Sequence, residues 1–153
     1  MNGIKVTNLS ENEIEQICGE IGDSFYDHAY GRKKDGTTEY GLRKLLDSRE
    51  KMYQHMKACF LAGYESGCLY STSRRGEGYI LVTCKGQDLS FKSGVWMIRA
   101  IVKNLGGLRG GIQFVRRIAT GGKTYEDELK KKKIPYANLA MLVVRKEYQG
   151  QGY

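Results

Sequence analysis

A chain of 153 residues with 41% apolar and 27% charged content is one domain's worth of sequence, too apolar for a disordered protein and long enough for a hydrophobic core. Its 25 Lys and Arg against 17 Asp and Glu leave a net charge of +8, which favours anionic partners over cationic ones without choosing among them. The N-terminus lacks an apolar signal run and no stretch of about 18 apolar residues occurs, so a soluble, cytoplasmic protein with no membrane partner is expected.

Residues 3–8 read as a short strand carrying Ile4 and Val6. Ser10 and Glu13 then form a capping-box pair that opens a helix. Its apolar face is Ile14, Ile17, Cys18, Ile21 and Phe25, at three- and four-residue spacing. Residues 30–36 are polar and read as a loop. Leu42, Leu45, Leu46, Tyr53, Met56 and Phe60 predict a second, longer helix that ends near Gly63. Residues 68–73 and 79–84 read as strands joined by a glycine-bearing turn over 74–78, hence an antiparallel hairpin, with residues 85–88 ending the second strand. Residues 95–105 and 112–119 are expected to be helical, broken at Gly106–Gly107 and again at Gly110–Gly111. Thr124 could cap a short helix running into four lysines at 130–133, Pro135 stops it, and residues 137–145 form the last strand.

Several local patterns have ordinary explanations. The run Gly121, Gly122, Lys123, Thr124 resembles part of a phosphate-binding loop, but the required earlier glycine falls on Arg117, so a turn and a helix cap account for it. The apolar segment 95–103 has too few charges for a full polar face and reads as a packed helix rather than a membrane-surface one. The lysines at 130–133 read as a solvated face whose functional alternative is steering of anionic ligands. Cys18, Cys59, Cys68 and Cys84 show no Cys-x-x-Cys pair and no grouping with His28 or His55, so reduced thiols and no metal are expected. The two histidines read as structural or surface residues. Nothing identifies one of Glu126, Asp127 and Glu128 as a base.

The most informative stretch is the last. Met141, Leu142, Val143 and Val144 form a buried-type strand that runs through a short polar turn into Gln149, Gly150, Gln151, Gly152 and Tyr153. Glycines at 150 and 152 remove the Cβ atoms that keep a ligand from the backbone, so the intervening N–H groups can converge on an anion such as a pyrophosphate. This pattern resembles the acetyl-CoA signature of the GNAT-family N-acetyltransferases, Gln/Arg-x-x-Gly-x-Gly/Ala. Five of its six positions are present, and it departs at Lys146, where many members carry proline.

The resemblance implies an α+β fold: the N-terminal portion of the acyl-CoA N-acyltransferase (GNAT) fold, a mixed or antiparallel sheet flanked by helices. Residues 1–153 would be one truncated domain, lacking the C-terminal strands and helices. It further implies acetyl-CoA as co-substrate and transfer of its acetyl group to a primary amine. Leu142, Val143 and Val144 would hold the pantetheine arm through their backbone, and Gln149, Gly150, Gln151, Gly152 and Tyr153 the pyrophosphate. In many members a tyrosine on a later helix protonates the leaving thiolate, so no catalytic acid or base is named and the 153-residue form is expected to be inactive alone. The apolar last strand is expected to be exposed on one face and to support a homodimer, unless the helices over 95–119 fold across it. The alternative reading is a non-enzymatic basic module that binds nucleic acid or another anionic partner, judged the less fitting of the two.

Overall fold

The computed structural model describes residues 3–84, 89–104, 107–119, 128–129 and 131–152. Helix α1 (Glu11–Asp27) starts where the sequence places it. Ser10 Oγ accepts from the Glu13 N–H at 3.3 Å, and the Ser10 N–H donates to the Glu13 carboxylate at 2.8 Å. This reciprocal pair satisfies two donors that a helix start leaves open. The next segment departs from expectation. Strands β2 (Ala29–Arg32) and β3 (Thr38–Tyr40) form a small antiparallel hairpin across the region read as a loop. Its turn is held by Asp35, which accepts from the Thr37 N–H at 2.9 Å and from the Thr37 hydroxyl at 2.6 Å.

The long second helix is also shorter than expected. A 3-10 turn (Leu42–Lys44) precedes α2 (Arg49–Glu65), which opens at Ser48, whose hydroxyl accepts from the Lys51 N–H at 3.2 Å. Apolar spacing from Leu42 continues across that break because Leu46 is fully buried from a non-helical position. Arg49 ties the start of α2 to the end of α1, donating to Asp23 at 2.5 Å and Asp27 at 2.7 Å.

Among the described residues the main sheet has four strands. Strand β1 (Ile4–Lys5) pairs antiparallel with β4 (Leu69–Ser71), and β4 pairs with β5 (Gly78–Cys84) in the expected hairpin. Strand β6 (Ala137–Val144) runs antiparallel along β5, from Gly78 opposite Val144 to Cys84 opposite Ala137. The described sheet is therefore antiparallel throughout, and β6 is one of its edges. Leu81 pairs with Met141 but Val82 with Leu139, so Ala140 is an extra residue, a bulge that kinks the edge.

One face of this sheet makes the core. Leu69, Tyr79, Leu81, Met141 and Val143 pack with Ile17, Ile21, Met52, Met56 and Phe60 of α1 and α2. Phe60 meets Tyr79 edge to face, with ring centroids 5.4 Å apart. The opposite face stays open: Leu142 is 56% exposed and Leu139 is exposed beside it.

Helices α3 (Phe91–Asn104) and α4 (Gly107–Ala119) do not close over that face; α3 packs mainly on α2 and α4 on α3. The start of α3 is pinned to the end of α2 by serines. Ser66 Oγ accepts from the Ser90 N–H at 2.9 Å and donates to Ser93 Oγ at 3.2 Å. The expected break at Gly110–Gly111 does not occur, and α4 runs through both glycines. A Cβ on Gly111 would lie 3.1 Å from Val102 Cγ2, so close helix packing offsets the roughly 1 kcal/mol that each glycine costs a helix. Among the described residues no helix is long and apolar enough to cross a membrane. The stretches at 85–88 and 121–124, the cap at Thr124, Glu126, Asp127 and Lys130 lie outside the described residues. Lys131, Lys132, Lys133 and Glu128 are exposed.

Candidate functional site

Beyond Val144 the chain leaves the sheet at Arg145, makes a 3-10 turn (Lys146–Tyr148) and enters the glycine loop. Arg145 anchors the exit. Its N–H donates to the Glu77 carbonyl at 2.8 Å. Its guanidinium forks onto Glu20 of α1, Nε to Oε2 at 2.5 Å and Nη2 to Oε1 at 2.9 Å, and reaches the Gly76 carbonyl at 3.4 Å. The side chain is only 13% exposed. The Arg145 bond holds the Glu20 carboxyl below its ordinary range, and the Glu20 bond pushes the Arg145 guanidinium further up. This pairing joins residues 125 apart in sequence and was not anticipated from it.

The glutamines of the loop brace their own backbone. Gln149 Nε2 donates to the Val144 carbonyl at 2.9 Å and to Ser24 Oγ at 3.4 Å, and Gln151 Nε2 donates to the Glu147 carbonyl at 2.9 Å. Gly150 and Gly152 have φ of 78° and 83°, the left-handed region that L side chains enter at a cost, and beyond the adjoining residues a Cβ at either would meet no atom within 4 Å. Glycine is required here for backbone conformation, not for packing. The N–H groups of Gly150 and Gly152 find no backbone acceptor among the described residues. Both glycines are exposed and left-handed, which leaves this stretch of backbone open to an anion.

A groove of about 290 Å³ lies between the end of β6 and the end of α1. Leu142, Val143, Val144 and Gln149 line it on one side; Ser24, Phe25 and His28 line it on the other. The structure thus gathers four of the residues expected to hold a cofactor. Gly150, Gln151 and Gly152 stand outside the lining, and Tyr153 lies outside the described residues. Val143 is buried, so its side chain belongs to the core and its backbone to the groove. Phe25 was legible as the end of the apolar face of α1. Ser24 and His28 carry no local signal, because only the α1–β6 contact brings them here.

The remaining titratable groups are placed as structure. Burial pushes the Cys18 thiol up to about 12 and the Cys59 thiol up to about 11, which removes both as nucleophiles at neutral pH. His55 is buried with Nε2 3.9 Å from Cys59 Sγ, and burial lowers its pKa. Among the described residues no three His, Cys, Asp or Glu side chains come together as a metal cage. A larger cleft of about 410 Å³ opens at the β1 edge between Lys5, Glu13, Arg74 and Arg75. Its size alone gives it no claim: it lacks the glycine loop, Arg74 and Arg75 stand on an exposed turn, and Arg145, which also lines it, is held by Glu20.

In comparisons with known proteins, no family model matches the chain, and neither a curated protein nor a solved structure matches it.

Proposed function

We propose that the chain is a GNAT-type N-acetyltransferase domain that binds acetyl-CoA along the free edge of β6 and serves acetyl transfer to a primary amine. The observation that carries this reading is the exposed left-handed glycine loop a short turn beyond edge strand β6, where the Gly150 and Gly152 N–H groups have no backbone acceptor among the described residues. Donors of this kind fit the pyrophosphate. The free edge of β6, kinked at Ala140, offers unpaired backbone groups to an extended, amide-bearing pantetheine arm, as an added strand would use them. With the β2–β3 hairpin and helices α3 and α4 taken as insertions, the order strand, helix, helix, antiparallel hairpin, strand and glycine loop supports the same reading.

In the reaction the amine nitrogen attacks the thioester carbonyl, a C–N bond forms, the C–S bond breaks, and the ammonium proton must leave while the thiolate gains one. Backbone N–H groups of β6 near Val144 would stabilise charge developing on the carbonyl oxygen. Arg145 is committed to Glu20 and cannot serve as the phosphate cation; Lys146, exposed at the head of the loop, can. His28 is the titratable side chain lining the groove, but no geometry assigns it a proton, so no acid or base is named.

Isothermal titration tests the reading. Acetyl-CoA is expected to bind saturably and acetyl-pantetheine at least tenfold more weakly, since the latter lacks the pyrophosphate. Absence of acetyl-CoA binding by the folded chain refutes the assignment. Appreciable transfer to amines is not expected from this chain by itself, because among the described residues the groove is walled only by the ends of α1 and β6 with His28 and Gln149, which does not exclude water.

The open face of β6 supports self-association as well. Leu139 and Leu142 are exposed on an unpaired edge, which favours pairing with a second copy. Sedimentation over a concentration series is expected to show a dimer at high concentration that Leu142→Lys disperses. A strictly monomeric mass throughout rules the dimer out.

A further inference from the structure

From residue 89 to residue 119 the chain carries six cations, Lys92, Arg99, Lys103, Arg109, Arg116 and Arg117, and no Asp or Glu. The same two helices present large apolar side chains to solvent. Phe91 is 91% exposed, Ile98 62%, Leu108 69% and Ile112 45%. Phe91 and Ile98 are seven residues apart and share one face of α3; Leu108 and Ile112 are four apart and share one face of α4. Lys92, Arg99 and Arg109 each follow an exposed apolar residue directly, which sets them about 100° around the helix from it. The side of α3 that holds Ser93 and Asn104 is the buried one. Each helix therefore turns large apolar side chains, with cations beside them, to solvent.

We propose that α3 and α4 form a membrane-surface element that lies on an anionic bilayer, with Phe91, Ile98, Leu108 and Ile112 entering the headgroup–acyl boundary and the flanking Lys and Arg meeting lipid phosphates. Charge complementarity selects this occupant. Two copies of the surface repel each other, since neither brings an acid. Nucleic acid satisfies the cations but leaves the apolar band in water. An anionic bilayer satisfies both halves at once. The element lies on the membrane and does not span it; the exposure of Phe91 and Ile98 revises the expectation of a fully packed helix without a membrane partner. The inference is independent of the cofactor reading.

Trp96, the single tryptophan of the chain, sits on α3 with Lys92 Nζ 4.9 Å from its ring centre, so its fluorescence reports on this helix directly. Titration with vesicles of phosphatidylcholine and phosphatidylglycerol (7:3) at 50 mM NaCl is expected to shift its emission to the blue. Pure phosphatidylcholine should bind at least tenfold more weakly, and 500 mM NaCl should release the protein. Phe91→Ser with Ile98→Ser, and separately Lys92→Glu with Arg99→Glu, should each weaken vesicle binding at least tenfold with helical circular dichroism unchanged, because these side chains are exposed. No shift on anionic vesicles overturns the proposal. So does equal binding to neutral vesicles, or full affinity in the Phe91/Ile98 variant. Binding of a DNA duplex without vesicle binding overturns it in favour of a nucleic-acid surface.

Discussion

Replacing Gly150 and Gly152 together by valine is expected to weaken acetyl-CoA binding about 100-fold, from about 3 kcal/mol of lost interaction, while leaving the unfolding midpoint near that of the parent. Both glycines hold φ near +80°, where a β-branched residue is strained by roughly 1–2 kcal/mol. Beyond the adjoining residues no protein atom lies within 4 Å of either Cβ position, so the loop can relieve that strain by moving without disturbing the core. Moving it re-aims the N–H groups of the loop, and the proposed anion site is lost. Asparagine tolerates the left-handed region, so Gly150→Asn should retain most of the affinity. Titration calorimetry on the three proteins decides the matter. Parent-like affinity in a correctly folded double valine variant removes the cofactor assignment.

Arg145→Ala is expected to destabilise the fold by about 2 kcal/mol, the scale of charge-assisted hydrogen bonds broken at a partly buried site. The change strands Glu20, 28% exposed, without its fork, and leaves the Gly76 carbonyl with one donor fewer. The estimate stays below that for a fully buried pair because Glu20 keeps access to water. The effect should depend on pH in a definite direction. Arg145 lowers the pKa of Glu20 from its ordinary value of 4.5, so the pair's stabilisation is complete above that value and is lost as pH falls through the lower, folded one. Urea unfolding of parent and variant at pH 7, 5 and 3 should therefore show a gap that narrows at the acid end. A gap of constant size means that Arg145 stabilises by packing and not through Glu20.

Both expectations concern the same few residues, and they separate by what each residue touches. Arg145 holds the exit from β6 against α1, so its loss is read in stability and only secondarily in the loop. The glycines touch nothing, so their loss is read in binding. The Gln149 amide bridges the two, since it donates to Val144 and reaches Ser24 on α1.

Local rules alone determined much of this chain. The Ser10–Glu13 cap, the spacing of Ile17, Cys18 and Ile21, the β4–β5 hairpin and the strand over Ala137–Val144 are written within a few residues of where they act, through helical periodicity, end-capping and alternation. The glycine loop is of the same kind, because glycine is the residue type that admits the left-handed backbone found at Gly150 and Gly152. The tertiary structure decided the rest. The polar β2–β3 hairpin shows no apolar alternation, and Leu46 extends a helical spacing from a residue that is not helical. Gly110 and Gly111 stay within α4 because Gly111 packs closely against Val102. The fork between Arg145 and Glu20, and the groove that adds Ser24 and His28 to Leu142 and Val144, depend on how α1 crosses the end of β6. Contacts of that range are selected by the whole packing of helices on the sheet, whereas caps, turns and periodic faces are satisfied by neighbours in the chain.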